Sequence, residues 1–400
     1  MIHEASSPLP SVAQMVESMT MGGAENLAVR IANAMAERGF ASHLIVLGER
    51  GILSDRVAPA VRAHYLGFQR ESINRPLAFG MSLRRGYRLL SGLLKEQGIA
   101  VTQTHLPGSN FWGLMLALFG RHPVLATIHN NAEFKYGDHD NRLRAALRKQ
   151  AYRRILSQCA GTVAVSEEVK SSLIRDLGVS HNVARRIAVV TNGVEIPEVL
   201  SETEIADLRA SVGVLEDQVF ILAAGRLSDQ KNFVDLVRAA AILRETDPAF
   251  RLVICGEGEH RALLEQQIAV SGLEEHVALP GNRTDLNRLM QAADVFTMSS
   301  LWEGLPLVLL EAMAAGLPPV GYAIKGIGEI LTDGKTGLIV PVGKPEGLAH
   351  GLAKLVRSAE ERRRLGNAAR DLVATRYNFS TLADQLSDLY RQTVIHRTRN

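Results

Sequence analysis

Two glutamates, Glu303 and Glu311, bracket the otherwise apolar stretch Gly304-Leu-Pro-Leu-Val-Leu-Leu310. A buried structural helix favours neither. Pro306 suits the first position of a helix, where a missing N–H costs nothing, and Gly316 suits its end, so the pattern predicts a helix from Leu305 or Pro306 to Ala315. Glu303 then stands just before the helix N-terminus, and Glu311 lies about five residues inside, roughly 7–8 Å along the axis. The N–H groups of Gly304, Leu305 and their neighbours, with the positive end of the helix dipole, offer a seat for an anion. A phosphorylated ligand laid along this end would meet a carboxylate with each of its hydroxyl-bearing parts. The competing reading is an acid that complements the dipole and a second Glu paired with an arginine.

Other groups of the same chemistry sit at predicted strand ends. Gly225-Arg226-Leu-Ser-Asp-Gln-Lys231-Asn232 places two cations on one loop, Arg226 as a planar fork and Lys231 as a mobile point charge, a combination suited to a diphosphate. Two solvated surface charges would look the same. Cys255-Gly256-Glu-Gly258-Glu-His-Arg261 is close to a dinucleotide fingerprint but has Arg261 where the third glycine belongs, which argues against a nicotinamide cofactor. Gly22-Gly23 opens a helix after the first strand, so its backbone N–H groups are suited to a phosphate or a sugar, or to a plain turn. His129 closes another strand in Thr127-Ile-His-Asn130 and would aim at the same ligand. No His/Cys cluster has metal-ligand spacing, and neither a P-loop nor a nucleophile elbow is present. Asp138-His-Asp140 has the form of a metal-holding pair, but it falls in a polar run away from any strand end and reads as a solvated loop.

These groups need a scaffold with many strand ends on one side. Strand-like runs at Val12 to Val16, His43 to Leu47, Ile99 to Thr104, Val124 to Ile128, Gly161 to Val165 and Ile187 to Val190 alternate with helical segments, such as the Leu27, Ile31, Ala34, Met35 stripe. After Asn192-Gly-Val194 the sequence Glu195-Ile-Pro-Glu198 reads as a linker, and six more runs follow: Val219 to Ala224, Arg251 to Cys255, Val277 to Leu279, Val295 to Met298, Pro319 to Tyr322 and Gly337 to Val340. The pattern predicts an α/β protein of two Rossmann-like, doubly wound parallel-sheet domains, residues 1–195 and 196–376, which bind ligands outside the carboxyl ends of the strands.

Composition agrees. The 400 residues exceed one ordinary domain, and 46% apolar with 22% charged content belongs to a globular protein with ample core. Two cysteines, one in each half, exclude a disulfide framework, and the start lacks an export signal, so a cytoplasmic protein is expected. Charge is unevenly spread: residues 1–195 carry 23 Lys and Arg against 15 Asp and Glu, residues 196–400 carry 22 against 27. Arg84, Arg85 and Arg88, and a predicted helix with Leu143, Leu147, Ala151 and Ile155 beside Arg144, Arg148, Lys149, Arg153 and Arg154, make the first half a candidate for an anionic membrane surface. A solvated helix docked on its own domain is the alternative.

Taken together, Ser300 to Ala312 with Glu303 and Glu311, Gly225-Arg226-x4-Lys231-Asn232, Gly256-Glu257-Gly258 and Asn192-Gly193-Val194 resemble glycosyltransferase family 4, and Gly22-Gly23-Ala24-Glu25 is similar to the branch that builds bacterial surface polysaccharides. The resemblance covers nearly the whole chain. It implies a GT-B fold, two Rossmann-like domains facing a central cleft, and transfer of a sugar from a nucleotide-diphosphate donor with retention of configuration and no metal or other cofactor. It implies that Glu311 meets the ribose, that Glu303 with Gly304 and Leu305 meets the donor sugar, and that Arg226 and Lys231 hold the diphosphate. Backbone near Asn282 and Arg283 would meet the base, Gly22 and Gly23 the donor phosphate, and His129 the transferred sugar and the acceptor. A terminal helix, about residues 377–400, would complete the first, acceptor-side domain.

The implied activity is hexosyl or N-acetylhexosaminyl transfer to a glycan or lipid-linked acceptor in exopolysaccharide or lipopolysaccharide synthesis, with no nucleic-acid partner. The basic first half and its Arg142 to Arg154 stripe are what suggest the cytoplasmic face of a membrane. A UDP-sugar is expected before a GDP-sugar, although the residues themselves do not separate the bases. Two other classes stay open: a non-catalytic sugar-nucleotide binder or membrane-docked scaffold, which would release no nucleotide, and a Rossmann-type oxidoreductase or epimerase, whose glycine fingerprint is missing.

Overall fold

The computed structural model describes residues 9–20, 22–68, 75–130 and 142–398. The Asp138-His139-Asp140 pair lies outside them. The chain forms two compact units, Met1–Thr191 with Leu382–Asn400, and Asn192–Thr381. The divisions fall at 191/192 and 381/382; the linker pattern puts the first at 195/196, and the family resemblance puts the second at 376/377.

The first unit is built on seven parallel strands: β1 (Ser11–Val16), β2 (Ala41–Val46), β3 (Arg62–Tyr65), β4 (Val101–His105), β5 (Val124–Ile128), β6 (Gly161–Ala164) and β7 (Ile187–Val189), in the order β3-β2-β1-β4-β5-β6-β7. The second unit has six: β8 (Val219–Ala224), β9 (Phe250–Cys255), β10 (Val277–Gly281), β11 (Val295–Met298), β12 (Pro319–Tyr322) and β13 (Leu338–Val340), in the order β10-β9-β8-β11-β12-β13. Each sheet starts in its middle, winds to one edge and then builds the other, the doubly wound topology in which the central strand ends form the binding position.

Strands covered on both faces by helices favour apolar residues on both, and β1, β2, β8 and β9 are nearly continuous buried runs, in which β1 and β2 also bury Gln14, Ser42 and His43. Strand β4 departs from this. Its sequence is Val-Thr-Gln-Thr-His and every residue is buried. Thr104 donates to Asn110 of the following helix and Gln103 to Thr127 of β5, so these polar groups are satisfied within the core. Strand β3, Arg-Ala-His-Tyr, is an edge strand absent from the sequence reading. It carries no apolar run, pairs with β2, and packs Ala63 and Tyr65 against the core.

Two helices differ from expectation. The helix after Glu303 runs Leu307–Ala314, and Pro306 is its extended cap (φ −69°, ψ 112°) rather than its first turn. The buried amide of Asn192 donates to the Leu305 carbonyl at 2.8 Å and holds the approach to the helix extended. The basic helix Arg142–Gln158 turns inward a face whose buried residues share only Ile155 with the expected stripe: Tyr152, Ile155 and Leu156 are buried, whereas Leu147 is 60% exposed. The tyrosine and its neighbours share one side at helical spacing, and Leu147 falls far round the helix from them.

Helix Phe379–Thr398 closes the first unit. Its buried face is Leu382, Ala383, Leu386 and Tyr390, and Asp384 accepts from Arg38 at 2.9 Å.

Candidate functional site

In the second unit the loops after β8 and β9 are packed against each other. Gly225 (φ +153°) and Gly256 (φ +144°) occupy backbone conformations that side chains avoid, and a Cβ on Gly256 would lie 1.9 Å from the Gly225 carbonyl oxygen. The Leu227 N–H donates to the Glu257 carbonyl and the His260 N–H to the Leu227 carbonyl, each at 3.0 Å. The glycines of Gly256-Glu257-Gly258 thus serve loop-to-loop packing, which directs the course of Gly225 to Asn232. At the far end of that loop Asn232 is left-handed (φ +47°), tolerable for asparagine, and its amide donates to Asp235 at 2.8 Å. The Tyr322 hydroxyl donates to the same carboxylate oxygen at 2.9 Å.

A loop anchored at both ends delivers Lys231 to Glu303. The Lys231 Nζ stands 2.6 Å from Glu303 Oε1, with the two side chains only 15% and 9% exposed. Gln230 donates to the other carboxylate oxygen at 3.2 Å and to the Trp302 carbonyl at 2.9 Å. The backbone is tied as well: the Leu301 N–H donates to the Gln230 carbonyl at 2.9 Å and the Ser299 hydroxyl to the Lys231 carbonyl at 2.8 Å. Gly326 closes the other side, since a Cβ there would fall 2.5 Å from the Gly304 carbonyl oxygen. The result is a carboxylate of fixed orientation beside a cation, ahead of a helix N-terminus. Charge-assisted bonds of this kind are roughly twice as strong as neutral ones.

The remaining candidates of this unit make other contacts. Arg226 is exposed and its Nε lies 3.6 Å from Glu259 Oε2, also exposed. Glu311 is the fifth residue of its helix and half-buried. Asn282 is exposed, while Arg283 forks onto Asp285 at 2.8 and 2.7 Å and reaches Ser211 at 3.2 Å. Those hydrogen bonds hold the Asp285 carboxyl below its ordinary range. The guanidinium of Arg283 is therefore already engaged. Gln230, Gly326, Asp235 and Tyr322 are absent from the sequence reading; Gln230 was in view beside Lys231, but an uncharged side chain carries no mark of what it will touch.

In the first unit Gly22 caps helix Gly23–Glu37 with extended backbone. The anion seat expected there is shared with the chain's own Glu25, whose Oε2 would lie 2.0 Å from a Cβ on Gly22. Burial raises the Glu25 pKa from its ordinary value, with Glu17 nearby adding to the effect. His129 follows β5, and its Nε2 is 3.1 Å from Nδ1 of His105, the last residue of β4. Burial pulls the His129 pKa down to about 4, so the ring is neutral at neutral pH.

Among the described residues no helix is long and apolar enough to cross a membrane, and no group of three or more His, Cys, Asp or Glu is placed to hold a metal ion.

Comparison with known proteins bears on the same two stretches. Residues 21–197 match the model of Glycosyltransferase Family 4, and residues 204–372 match that of Glycosyl transferases group 1. The chain is 25% identical to a UDP-Gal:alpha-D-GlcNAc-diphosphoundecaprenol alpha-1,3-galactosyltransferase of Escherichia coli, over 88% of this chain and 89% of that one. It is also 25% identical to the alpha-D-kanosaminyltransferase of Streptomyces kanamyceticus, over 75% and 79% of the two chains. Among solved structures, Anabaena HepE in complex with UDP and glucose superposes with a TM-score of 0.80 at 20% identity, covering 96% of this chain and all of that one. With one family model on each doubly wound sheet, and Lys231 and Glu303 joined at the strand ends of the second, the chain belongs to glycosyltransferase family 4 and has the GT-B fold.

Proposed function

We propose that the chain is a retaining glycosyltransferase that moves a hexosyl or N-acetylhexosaminyl group from a UDP-sugar to a glycan or lipid-linked acceptor in surface-polysaccharide synthesis, without a metal ion. The Lys231–Glu303 pair carries the reading: a cation suited to a diphosphate and a carboxylate suited to sugar hydroxyls stand 2.6 Å apart, ahead of a helix N-terminus. When the donor arrives, its diphosphate competes for Lys231, while Gln230 keeps Glu303 in place to accept hydrogen bonds from the sugar. Lys231 and Arg226 then stabilise the charge that grows on the diphosphate as the glycosidic bond breaks. The same cations do the neutralising work that a metal ion performs elsewhere. Glu311 accepts from the ribose. With Arg283 held by Asp285, recognition of the base falls to backbone groups around Asn282. Gly22, Gly23 and His129 take the phosphate and sugar contacts that the family resemblance assigns them. The names of the E. coli relative and of the Anabaena complex, which carry a UDP-linked sugar and UDP, support the choice of base.

The test is thermal stabilisation by a panel of UDP- and GDP-sugars. A UDP-sugar is expected to raise the unfolding midpoint, about 2.7 kcal/mol of added stability at a hundred times its Kd. Glu311→Ala should lose most of that shift yet keep its turnover number at saturating donor. No shift with any nucleotide sugar would remove the reading, and a Glu311→Ala effect confined to turnover would remove the ribose assignment.

For the membrane partner, a second helix joins the one expected from the sequence. On helix Pro76–Glu96 the exposed Leu77, Met81 and Leu89 lie on one face with exposed Arg84, Arg85 and Arg88, over a hollow of about 300 Å³ that Phe68 and Arg85 help to line. Apolar and cationic groups on one face fit an anionic lipid surface on the cytoplasmic side. Co-sedimentation with anionic vesicles is expected to be strong at low salt, weaker at high salt, and much reduced in the Arg84→Ser, Arg85→Ser, Arg88→Ser variant. Equal pelleting with neutral vesicles would overturn it.

A further inference from the structure

His129 belongs to a buried chain of hydrogen bonds that passes through the last helix and returns to β5. Its Nε2 meets His105 Nδ1 at 3.1 Å, with the two rings tilted by 33° and their centroids 5.3 Å apart. His105 Nε2 meets Gln14 Oε1 at 2.9 Å. The Gln14 amide donates to the Tyr390 hydroxyl at 2.8 Å, the Tyr390 hydroxyl donates to Gln103 Oε1, and the Gln103 amide donates to Thr127 Oγ1 at 2.7 Å. Gln14, Gln103, His105, Thr127 and Tyr390 are all buried, at 2% exposure or less. Four separate pieces of sequence, β1, β4, β5 and helix Phe379–Thr398, thus place polar groups in what would otherwise be apolar core.

Such a chain has a direction. The Tyr390 hydroxyl has one proton, and burial raises its pKa, so it accepts from one glutamine and donates to the other. With the Gln14 amide nitrogen turned to Tyr390, its oxygen faces His105, which must then carry its proton on Nε2. The Nδ1 of His105 is left as an acceptor, and among the described residues its partner is Nε2 of His129, which then carries the proton. Burial keeps both rings neutral at neutral pH, so the choice of tautomer is a real one that the surroundings make.

We propose that Tyr390, Gln14 and His105 are positioning residues that fix the ring orientation of His129 and hold it as the neutral tautomer protonated on Nε2. A free imidazole exchanges between tautomers and turns about its side-chain bonds. Here the polarity of the whole chain would have to reverse for His129 to change, with both glutamine amides turning over inside a packed core. Nδ1 remains the basic nitrogen of His129. What that nitrogen does in sugar transfer rests on the function proposed above; the tautomer does not.

The two parts are therefore measured separately. Long-range proton–nitrogen correlation spectra of the full chain with labelled histidine, assigned through His105→Gln and His129→Gln, read the proton position directly. Both rings are expected to show a proton-bearing Nε2 and an unprotonated Nδ1 across neutral pH. Averaged nitrogen shifts, or a proton on Nδ1 of His129, would overturn the proposal without any variant being made. In Tyr390→Phe the His129 nitrogens should move toward the averaged values, and transfer should fall on the order of tenfold in turnover with the donor KM little changed, as misorientation rather than lost binding would produce. Gln14→Met, which removes the amide at similar volume, should do the same. If His129 keeps its wild-type nitrogen shifts in both folded variants, the chain does not govern it. A fixed tautomer with unaltered transfer would overturn the orienting role in the reaction and leave the sugar-transfer reading standing.

Discussion

Lys231→Ala is expected to lose transfer by on the order of 10²–10³-fold, the loss seen when one donor to a developing oxyanion is removed, and to lose stability as well. The second effect follows from the 2.6 Å ion pair. Glu303 is 9% exposed, and without Lys231 its carboxylate keeps Gln230 and little else. Breaking a buried pair on one side costs about 3–5 kcal/mol, and slight exposure of both groups points to the lower figure. A double variant, Lys231→Met with Glu303→Gln, removes both charges at similar volume. It should recover most of the lost stability and none of the activity. Thermal or denaturant unfolding with turnover on the wild type, Lys231→Met, Glu303→Gln and the double variant forms a double-variant cycle. Should the double variant be as unstable as the two single losses added together, Lys231 and Glu303 are not coupled and the pair is not a preorganised unit.

Gly256→Ala is expected to be the most damaging single methyl in the second unit. The position has φ +144°, and the new carbon would lie 1.9 Å from the Gly225 carbonyl oxygen, a backbone atom with no rotamer to escape into. Strain and overlap together should cost more than about 4 kcal/mol, in the range reserved for a few named mechanisms. Relief would require the loop Gly225 to Asn232 to move, which carries Lys231 away from Glu303. Gly334→Ala is the control: φ is +68° and nothing lies within 4 Å of the added carbon, so only the left-handed conformation is penalised, at about 1–2 kcal/mol. Unfolding midpoints of the two variants separate overlap from conformation. Similar midpoints would mean that the two loops are not packed as described.

The charged parts of the candidate site were legible because they break an apolar context. Glu303 interrupts a hydrophobic run, and Arg226 and Lys231 follow a buried strand. The strands of the second unit were legible for the related reason that parallel strands covered on both faces are short apolar runs. What stayed hidden was uncharged or long-range. Gln230 has no pattern that distinguishes it from a surface glutamine, and Gln14 meets Tyr390 across 376 positions, a distance over which no local periodicity operates. Strand β4 hid its meaning differently: Thr-Gln-Thr-His carries no apolar pattern to mark it as buried, yet its place in the middle of the sheet buries all four. On helix Arg142–Gln158 the expected stripe was legible only in part: Ile155 is buried, but Tyr152 and Leu156 share its inner face and Leu147 is exposed.

Helix Phe379–Thr398 has a consequence for how the molecule is made. Residues 192–381 are one uninterrupted stretch of chain, so the second unit can close as soon as it has left the ribosome. The first unit is translated earlier and finished later. Until Leu382, Leu386 and Tyr390 emerge, the side of its sheet that carries Gln14 and Gln103 has amides facing a gap, and Met35 lacks the Ser387 hydroxyl that lies against its sulfur. The half that is synthesised first must wait, open and partly unsatisfied, for the final helix to be delivered.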